Sequence, residues 1–374
     1  MNRQFQNYNI LTDLVSNSDD FKILINNANA KYNNALWRSF TTVLPATISK
    51  KFSAIVEETG IAVKASVVGS MGKKPLISTE GGTTYSDSIH KIGLGFKVDQ
   101  SDMNNIEEMN YVNTDLATEM LKVWDVRATT VFQGFNAMWN DWAFYGLSNQ
   151  EIPIYNQGVL DFTVDLRTPA ANKLKAKGSA GWFTSGTTAK IADDLVRMNK
   201  KADDVSVGMP SLRMFCMSKT TADKLILDTN LNTAVKASLG FYDTTNAIIS
   251  RTRFLSILSQ LLEIPPIVVI DEKSRINVDG VPQLDSKAFN DDKVVLVPQT
   301  AIFDMHNSPS DYTKDTNPAA LKTFTEGGLI GAIQLYESDP IKILTNMESW
   351  SFLTFKNPKW IISLDHTAHS ATGA

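Results

Sequence analysis

The sequence predicts an α+β protein in which one very long helix packs on a β-sheet. Apolar residues keep helical spacing from Asp102 to Leu147, and residues 328 to 364 read almost entirely as strands. A sheet must bury one face, and these C-terminal strands have only one another as neighbours in sequence. The long helix is therefore the predicted cover of that sheet.

The predicted long helix has apolar residues at every third or fourth position, which places them on one stripe. The stripe contains Ile106, Met109, Val112, Leu116, Met120, Trp124, Ala128, Val131, Phe135, Met138, Trp142 and Tyr145. We take Leu116, Met120, Trp124, Val131, Phe135 and Trp142 as its core residues. A helix of this length spans about 65 Å, which predicts an elongated or flat molecule.

The predicted helix has chemically suitable ends. Ser101 or Asp102 can cap its first N–H groups, and Gly146 can adopt the left-handed conformation that closes a helix. Gly134 lies inside the helix, where glycine costs about 1 kcal/mol relative to alanine, and this indicates a bend. Two helices broken near Gly134 are the alternative.

Composition limits the class of protein. The 374 residues, 43% of them hydrophobic, can bury a sizeable core and suggest two or three domains. The formal charge is −4, without long runs of either sign, which argues against a protein built mainly to grip nucleic acid phosphates. Neither a signal peptide nor a membrane span is predicted, since no apolar run reaches about eighteen residues.

The one cysteine, Cys216, lies in the apolar run 212–217. No internal disulfide is possible, and a buried reduced thiol is the simpler interpretation. We therefore expect a soluble protein made for a reducing compartment.

The N-terminal third changes character twice. Residues 1 to 35 are rich in Asn and Asp, which predicts either partial disorder or an arm that packs on something else. Residues 35 to 58 return to mixed helical spacing, and Thr59 and Gly60 end that run.

Residues 61 to 98 then alternate between apolar and polar with period two, which predicts a long β-hairpin. The outgoing strand covers 61–67 and the returning strand 92–98. The predicted contact residues at its tip are Gly69, Met71, Gly72, Lys73, Lys74, Gly81 and Gly82. An isolated two-stranded hairpin is marginal in water, so we expect it to need a partner surface and to serve assembly rather than the subunit's own fold.

The middle of the chain alternates short strands with helices, which is typical of a mixed α/β domain. The predicted strands are 159–166, 212–217, 266–270 and 291–297, and the predicted helices are 188–201, 220–227 and 251–262. The C-terminal strands are predicted at 328–336, 342–344, 350–355 and 359–364.

Motifs for phosphate, dinucleotide or ester chemistry are incomplete. The run from Gly69 to Lys74 resembles a phosphate loop, but position 67 is Val where that pattern requires Gly. A dinucleotide fingerprint begins at Gly93 and fails at Val98. No Gly-x-Ser-x-Gly elbow is present. The sequence therefore predicts no catalytic residue and no cofactor-binding site.

Polar and aromatic clusters also receive structural interpretations. His366 and His369 have metal-like spacing but lie in a Ser/Ala/Gly tail, which favours a frayed end over a zinc site, so no metal site is predicted. The carboxylate pairs Asp271–Glu272 and Asp291–Asp292 follow the usual pattern of turns and solvated strand ends. The helix aromatics, Trp124, Phe132, Phe135, Trp139 and Trp142, lack interleaved basic residues, so packing is favoured over base stacking.

The order of parts is more informative than any motif. A polar arm, a glycine-tipped two-stranded loop, a very long helix ending in Tyr-Gly-Leu and a mixed α/β middle precede strands that include Leu-Tyr-Glu-Ser-Asp-Pro-Ile-Lys-Ile-Leu. This order resembles the major capsid proteins of tailed bacteriophages, whose Hong Kong 97-type fold is also used by encapsulin compartments. Residues 291 to 365, with Lys-Val-Val-Leu-Val-Pro, Glu-Ser-Asp-Pro and Phe-Lys-Asn-Pro-Lys-Trp, are most similar to that family.

The resemblance implies a division of the chain into the parts of that fold. These are an N-terminal arm (1–45), a first peripheral segment (46–59), an extended loop (60–100), the spine helix of the peripheral domain (101–150), an axial domain (151–325), peripheral C-terminal strands (326–366) and a tail (367–374). Some relatives crosslink subunits through a lysine and an asparagine. Lys73 and Lys74 have no identifiable partner, so no crosslink is predicted.

The resemblance also implies a non-enzymatic function. It implies a shell protein that self-assembles through pentamers and hexamers into an icosahedral head, enclosing double-stranded DNA without sequence-specific binding and without a membrane. Such a protein is made in the host cytoplasm, ends in the virion, and has portal, scaffolding and decoration proteins as further partners. The alternatives are an encapsulin-like compartment holding cargo enzymes and an α/β-domain enzyme of unknown reaction.

Overall fold

The fold consists of two compact units, each built from separate stretches of the chain. The computed structural model describes residues 18–32, 34–56, 83–99, 101–102, 116–156, 159–184, 190–204, 207–240, 248–278, 281–317, 320–325, 328–338, 341–370 and 372. Unit 1 comprises Met1–Ser53, Ser86–Trp139 and Asp304–Thr354, and unit 2 comprises Ala54–Tyr85, Asn140–Phe303 and Phe355–Ala374. The predicted α+β class is confirmed.

The helices and strands have the following bounds. The described helices are α1 (Ser18–Ala30), α2 (Leu36–Phe40), α3 (Leu116–Asn149), α4 (Ile191–Ala202), α5 (Lys219–Leu227), α6 (Thr229–Ser238) and α7 (Arg251–Leu261). The described strands are β1 (Thr41–Val43), β2 (Lys51–Val56), β3 (Thr83–Ser88), β4 (His90–Asp99), β5 (Glu151–Asn156), β6 (Val159–Asp165), β7 (Lys173–Lys177), β8 (Arg213–Ser218), β9 (Ile267–Ile270), β10 (Lys273–Val278), β11 (Val281–Lys287), β12 (Lys293–Pro298), β13 (Phe303–Ser308), β14 (Leu321–Phe324), β15 (Gly331–Ser338), β16 (Ile341–Phe355) and β17 (Ile362–Ser370).

The sheet of unit 1 is organised around β16. Its strands run in the order β1-β13-β16-β15-β14, and β4 also pairs with β16. The β4–β16 ladder is antiparallel and extends from Asp99 opposite Lys342 to His90 opposite Ser351. The two separate strands predicted at 342–344 and 350–355 are therefore parts of one strand of 15 residues.

The described N-terminal elements pack on the chain's own long helix. On α1, Phe21 is 1% exposed and its ring meets Trp124 edge-on at 6.2 Å. The Lys31 ammonium, just after α1, lies 2.7 Å from Asp125 of α3. On α2, the Trp37 indole donates a hydrogen bond of 2.8 Å to Asn136 Oδ1. The helical prediction for residues 35–58 is wrong at β2, because its mixed spacing also fits short strands.

Helix α3 is continuous from Leu116 to Asn149, as predicted for this part of the chain, so the alternative of two helices broken near Gly134 is wrong. A Cβ at position 134 would lie 2.5 Å from Leu94 Cδ1, so the Leu94 side chain would have to move if a larger residue stood there. The segment 103–115 lies outside the described residues, as do the side chains of Leu116 and Met120.

The C-terminal end of α3 also differs from the prediction. Gly146 is inside the helix, where an added Cβ would come within 3.1 Å of Ile152. Gln150 instead takes the left-handed conformation with φ of 61°. Its side-chain amide donates hydrogen bonds to the carbonyls of Leu147 and Ser148 at 3.0 and 2.9 Å, satisfying groups that a helix end leaves unpaired. This local capping explains why a non-glycine residue can end the helix.

The described core residues of α3 are buried. Trp124, Val131 and Phe135 lie in unit 1 and Trp142 in unit 2, and none is more than 6% exposed. Trp139, which the predicted stripe omitted, is also fully buried, and its indole donates a hydrogen bond of 3.1 Å to Ser351 Oγ on β16. Within unit 1, α3 therefore covers the sheet.

Unit 2 contains a second sheet in the order β7-β17-β12-β8-β9. Helices α4, α5 and α7 contribute Leu195, Leu225 and Phe254 to its core, each at most 1% exposed. The sheet includes the predicted strands 212–217, 266–270 and 291–297, which are confirmed as β8, β9 and β12.

The last strand, β17, lies in this second sheet and not beside the C-terminal strands of unit 1, where the sequence analysis placed residues 359–364. Ile362 and Leu364 are fully buried. Sequence proximity to β16 suggested the wrong neighbour, because the short turn at Pro358–Trp360 separates the two strands. The chain from 367 to 370 continues β17 and is not a tail.

Replacing Phe135 by alanine should lower the free energy of unfolding by about 3–5 kcal/mol, because it removes a fully buried aromatic ring from between α3 and the sheet. Val126 on the same helix is 65% exposed, so Val126→Ala should change stability by less than about 0.5 kcal/mol. Chemical unfolding of both variants measures this difference. Equal losses would show that the stripe does not stabilise the unit.

Candidate assembly surfaces

The predicted extended loop, residues 60–100, is described only from Thr83 onward. The predicted tip residues all lie outside the described residues, namely Gly69, Met71, Gly72, Lys73, Lys74, Gly81 and Gly82. In the described part, β3 pairs with β2 as a two-stranded ribbon, and β4 continues from β3 into the sheet of unit 1. The described ends of the predicted loop are thus β2 and β3.

Strand 92–98 pairs with β16, and its predicted partner, 61–67, lies outside the described residues. Ile92 and Val98 are 8% and 2% exposed, so β4 belongs to the core of unit 1. The expectation that the whole loop is separate from the subunit's fold is therefore wrong for this strand. Alternation alone identified a strand but could not identify its partner.

A polar cluster, which we call the loop root, fixes the place where β2 and β4 meet the sheet. It consists of Lys50, Lys91, Asp311, Glu348 and Trp350. Lys50 Nζ lies 3.3 Å from the centre of the Trp350 ring and 2.5 Å from Asp311 Oδ1. Lys91 Nζ lies 2.6 Å from Glu348 Oε2. These contacts join the start of β2 and the start of β4 to β16.

The buried member of the loop root is Glu348, whose side chain is 1% exposed. Its Oε1 accepts hydrogen bonds of 2.5 Å from Ser310 Oγ and from the Asp311 backbone N–H. Partial burial lowers the pKa of Lys91, but hydrogen bonds with Glu348 and Asp311 outweigh it and raise that pKa overall. A buried carboxylate is stable only when it is paired, so separating Glu348 from Lys91 would cost free energy.

No feature of the sequence indicates the loop root. Lys50 and Asp311 are 261 residues apart, and no local motif links them. A lysine or tryptophan in a sequence does not indicate which distant residue its side chain will contact. Only the register of β4 on β16, which places Lys91 opposite Trp350, brings the groups together.

A second clamp holds the other end of β4. The Arg127 guanidinium on α3 binds both carboxylate oxygens of Asp102, at 2.7 and 2.5 Å, and also donates to the Lys97 carbonyl. The Asp99 N–H donates to Asp102 Oδ2 at 3.0 Å. Hydrogen bonds from Arg127 lower the pKa of Asp102, as expected for a bidentate pair. The clamp ties the end of the strand to the long helix.

A half-buried histidine, His306, packs against β2. Phe52 on β2 stacks on the His306 ring at 3.9 Å with an interplanar angle of 13°. His306 Nε2 lies 2.9 Å from Thr354 Oγ1. Burial lowers the pKa of His306 to about 4, so its imidazole is neutral at pH 7.

The first predicted carboxylate pair, Asp271 and Glu272, lies just after β9. Asp271 Oδ2 is 3.0 Å from Lys219 Nζ, and that contact lowers the pKa of Asp271. Glu272 Oε2 accepts a hydrogen bond of 3.1 Å from Asn140 Nδ2. Both carboxylates thus have structural partners.

The second pair precedes β12. Asp291 forms an ion pair with Lys287, whose Nζ also donates to Thr220 Oγ1 at 2.8 Å. The Asp292 N–H donates to Asn290 Oδ1 at 2.9 Å, as in a turn. Asp271 and Asp291 line one surface cavity of about 220 Å³, but each is bound to a lysine there. Among the described residues, no group of three or more His, Cys, Asp or Glu could hold a metal ion.

The prediction of a frayed end for His366 is wrong. His366 is 1% exposed and its ring stacks on Trp182 at 5.4 Å. Its Nε2 lies 2.8 Å from the Asp291 carbonyl, and burial lowers its pKa. His369 is exposed, so the two rings face different surroundings. Cys216 is buried as predicted, and burial raises the pKa of its thiol to about 12.

No family model and no curated protein matches this chain. Solved structures do match it over almost its whole length. A putative capsid protein of a prophage of Escherichia coli CFT073 has 10% identity and a TM-score of 0.50, over 93% of this chain and 98% of that one.

That near-complete overlap in both directions decides the fold. This chain has the fold of a phage capsid protein. A phage-related protein from Bordetella bronchiseptica RB50 has 14% identity and a TM-score of 0.47, over 91% of this chain and 96% of that one. A satellite phage P4 procapsid structure has 9% identity and a TM-score of 0.48, over 90% and 97%. The predicted Hong Kong 97-type fold is confirmed.

Within this capsid fold, the loop root and the Arg127–Asp102 clamp hold β4 in unit 1. In the described part of the chain, none of the helices is long and apolar enough to cross a membrane.

Stability should fall as the pH decreases from about 6.5 to about 4, with a contribution from His306. In that window the unfolded chain binds a proton at His306 and the folded chain does not, so unfolding is favoured at the lower pH. His306→Gln keeps a hydrogen-bonding group for Thr354 and cannot protonate, so it should flatten this part of the profile. The measurement is the free energy of unfolding against pH.

The matched control is His369→Gln, which replaces an exposed histidine. We expect it to keep the slope of the unsubstituted chain. If His306→Gln also kept that slope, His306 would not be buried in its neutral form.

Proposed function

We propose that this chain is the major capsid protein of a tailed bacteriophage and that it self-assembles into the icosahedral head shell that encloses the double-stranded DNA genome. The observation that carries the proposal is the capsid fold, shared with a prophage capsid protein over 93% of this chain and 98% of that one. The match covers nearly the full length of both chains, so the resemblance is not confined to one domain.

The chemistry of the described residues supports a structural rather than a catalytic protein. The capsid proteins that share this fold are structural. Asp271 and Asp291 each form an ion pair with a lysine, Glu272 accepts a hydrogen bond from Asn140, and the buried thiol of Cys216 has a raised pKa. A general acid or nucleophile needs the opposite, a reactive group next to open space.

The parts of the fold receive roles on this proposal. Unit 1 is the peripheral domain with the spine helix, unit 2 is the axial domain, and the residues between β2 and β3 are the tip of the extended loop. Subunits would form pentamers and hexamers, with portal, scaffolding and decoration proteins as further partners. They would be made in the host cytoplasm and end in the virion. The formal charge of −4 suits a container that holds DNA without binding its sequence.

Electron microscopy of the purified chain tests the function directly. We expect closed shells of uniform size, and light scattering that reports large particles over a range of salt and protein concentrations. Particles from the native source should contain DNA. Particles that contain enzymes and no nucleic acid would identify a cargo compartment instead, and a chain that stays at 41.3 kDa under all conditions would exclude a shell protein.

Removing the loop tip should separate folding from assembly. We expect that replacing residues 57–82 by Asn-Gly, which joins β2 to β3 by a tight turn, leaves the melting temperature nearly unchanged and abolishes shells. The deletion ends before β4, because that strand belongs to the core of unit 1.

The control deletion removes β4 as well, by taking out residues 57–97. This longer deletion should unfold unit 1, since it removes Ile92 and the strand opposite β16. Circular dichroism and electron microscopy of both variants give the result. Normal shells from the 57–82 deletion would disprove the assignment of the extended loop.

A further inference from the structure

Positive charge is concentrated in one stretch of unit 2. Of the chain's 36 Lys and Arg residues, eight lie between positions 167 and 201, against only two of its 40 Asp and Glu residues. This stretch contains β7 and α4, which pack against each other. A chain with a formal charge of −4 therefore contains one strongly basic stretch.

Three of these charges form a row along β7. Lys173, Lys175 and Lys177 alternate with Leu174 and Ala176, so the three lysine side chains share one face of the strand. The lysines are exposed, while Leu174 and Ala176 pack in the core of unit 2. Alternate residues of a strand are about 6.6 Å apart, so the row spans about 13 Å. We call these three residues the lysine row.

The lysine row has no partner among the described residues. None of its three side chains makes a hydrogen bond, an ion pair or a ring contact with them. The carboxylate opposite Lys175 on β17 belongs to Asp365. Its oxygens accept from the Lys293 ammonium at 2.6 Å, from the N–H and hydroxyl of Thr367 and from the Ala368 N–H. Asp365 is therefore already paired and does not neutralise the row.

Protection of the sheet edge does not account for these lysines. Proteins often place lysine on an edge strand to prevent pairing with another strand. The outer edge of β7 is already bonded to α4, however, because the Arg197 guanidinium donates to the Lys175 carbonyl at 2.6 Å. In addition, the Lys177 N–H donates to both Asp194 oxygens at 3.2 Å, and Asp194 pairs with Arg197 at 2.9 Å. The edge is thus closed without the charges of the row.

We propose that the lysine row binds the phosphate backbone of duplex DNA. A duplex carries one charge per about 1.7 Å of its axis, which gives about eight phosphates over the 13 Å length of the row. Lysine ammonium groups bind phosphates as point charges, so this contact reads no base sequence. Unpaired lysines also lose no ion pair when they bind. The proposal rests on the proposed function for the source of the DNA, which is the packaged genome.

An acidic protein segment is the competing ligand. An extended segment with acidic residues at alternate positions would match the spacing of the row best as a neighbouring strand. The outer edge of β7 is bonded to Arg197 and Asp194, so such a strand has no place to add. A duplex needs only the exposed side chains, and for this reason we assign DNA as the ligand.

Replacing the lysine row by glutamine tests the site. A short fluorescent duplex of mixed sequence is added to the full chain before assembly, so that it reaches every surface of the subunit whether or not shells form. We expect the triple variant Lys173→Gln, Lys175→Gln, Lys177→Gln to bind at least tenfold more weakly at low salt. The slope of log Kd against log salt concentration should fall by about 2–3, because each phosphate contact contributes about 0.9. Fluorescence anisotropy measures both quantities.

The matched control removes the same charge elsewhere. Lys22, Lys51 and Lys314 lie in unit 1, are exposed, and have side chains without partners among the described residues. Replacing these three by glutamine should leave the salt slope unchanged. A second control replaces the row by three arginines, which keeps the charge and should keep the binding. All variants should melt at the temperature of the unsubstituted chain, because exposed lysines without contacts add little stability.

The outcomes separate this proposal from the proposed function. If shells form and the row variant binds DNA as well as the unsubstituted chain, or if both glutamine variants lose binding equally, the DNA site alone is overturned. Tighter binding of poly-glutamate than of DNA, lost in the row variant, would identify an acidic protein ligand and would also overturn it. A chain that binds DNA through the row and forms no shells would contradict the proposed function alone.

Discussion

The packing of α3 on the sheet of unit 1 is the contact on which the rest of the described structure depends. Trp139 reaches Ser351 on β16, Phe96 on β4 meets Trp124 at 5.5 Å, and Leu94 occupies the space that a side chain at Gly134 would fill. These contacts bury one face of the sheet. A β-ribbon is marginal by itself, so strands that carry a projecting loop must be held by such a core.

On the proposed function, the extended loop would begin from a rigid part of unit 1. The loop root connects Lys50 and Lys91 to a buried Glu348, and Arg127 holds the far end of β4. A contact between subunits gains affinity when the contacting segment is already ordered, because less conformational entropy is lost on binding. Ion pairs on an open surface contribute little to stability. Those of the loop root and of Arg127 with Asp102 matter because they hold the two ends of β4 in place.

The sequence and the structure agree where a signal is local and disagree where it is long-range. The strands β8, β9 and β12 and the helices α4, α5 and α7 follow from periodicity, because each buries residues at a regular spacing. The partner of 92–98 and the sheet that contains β17 did not follow, because alternation defines a strand and says nothing about its neighbour. The end of α3 was predicted at Gly146, but the helix ends later. Gln150 itself takes the left-handed conformation, and its side chain donates a hydrogen bond to the Leu147 carbonyl.

By itself the sequence determined the α+β class, the long helix and the order of parts that resembles a capsid protein, since these depend on the spacing of residues along the chain. Tertiary structure decided which strands pair, that Leu94 packs over Gly134, and how residues as distant as Lys50 and Asp311 form one cluster. The physical reason is that burial and strand register are properties of contacts between segments. Such contacts join residues hundreds of positions apart, and no local pattern records them.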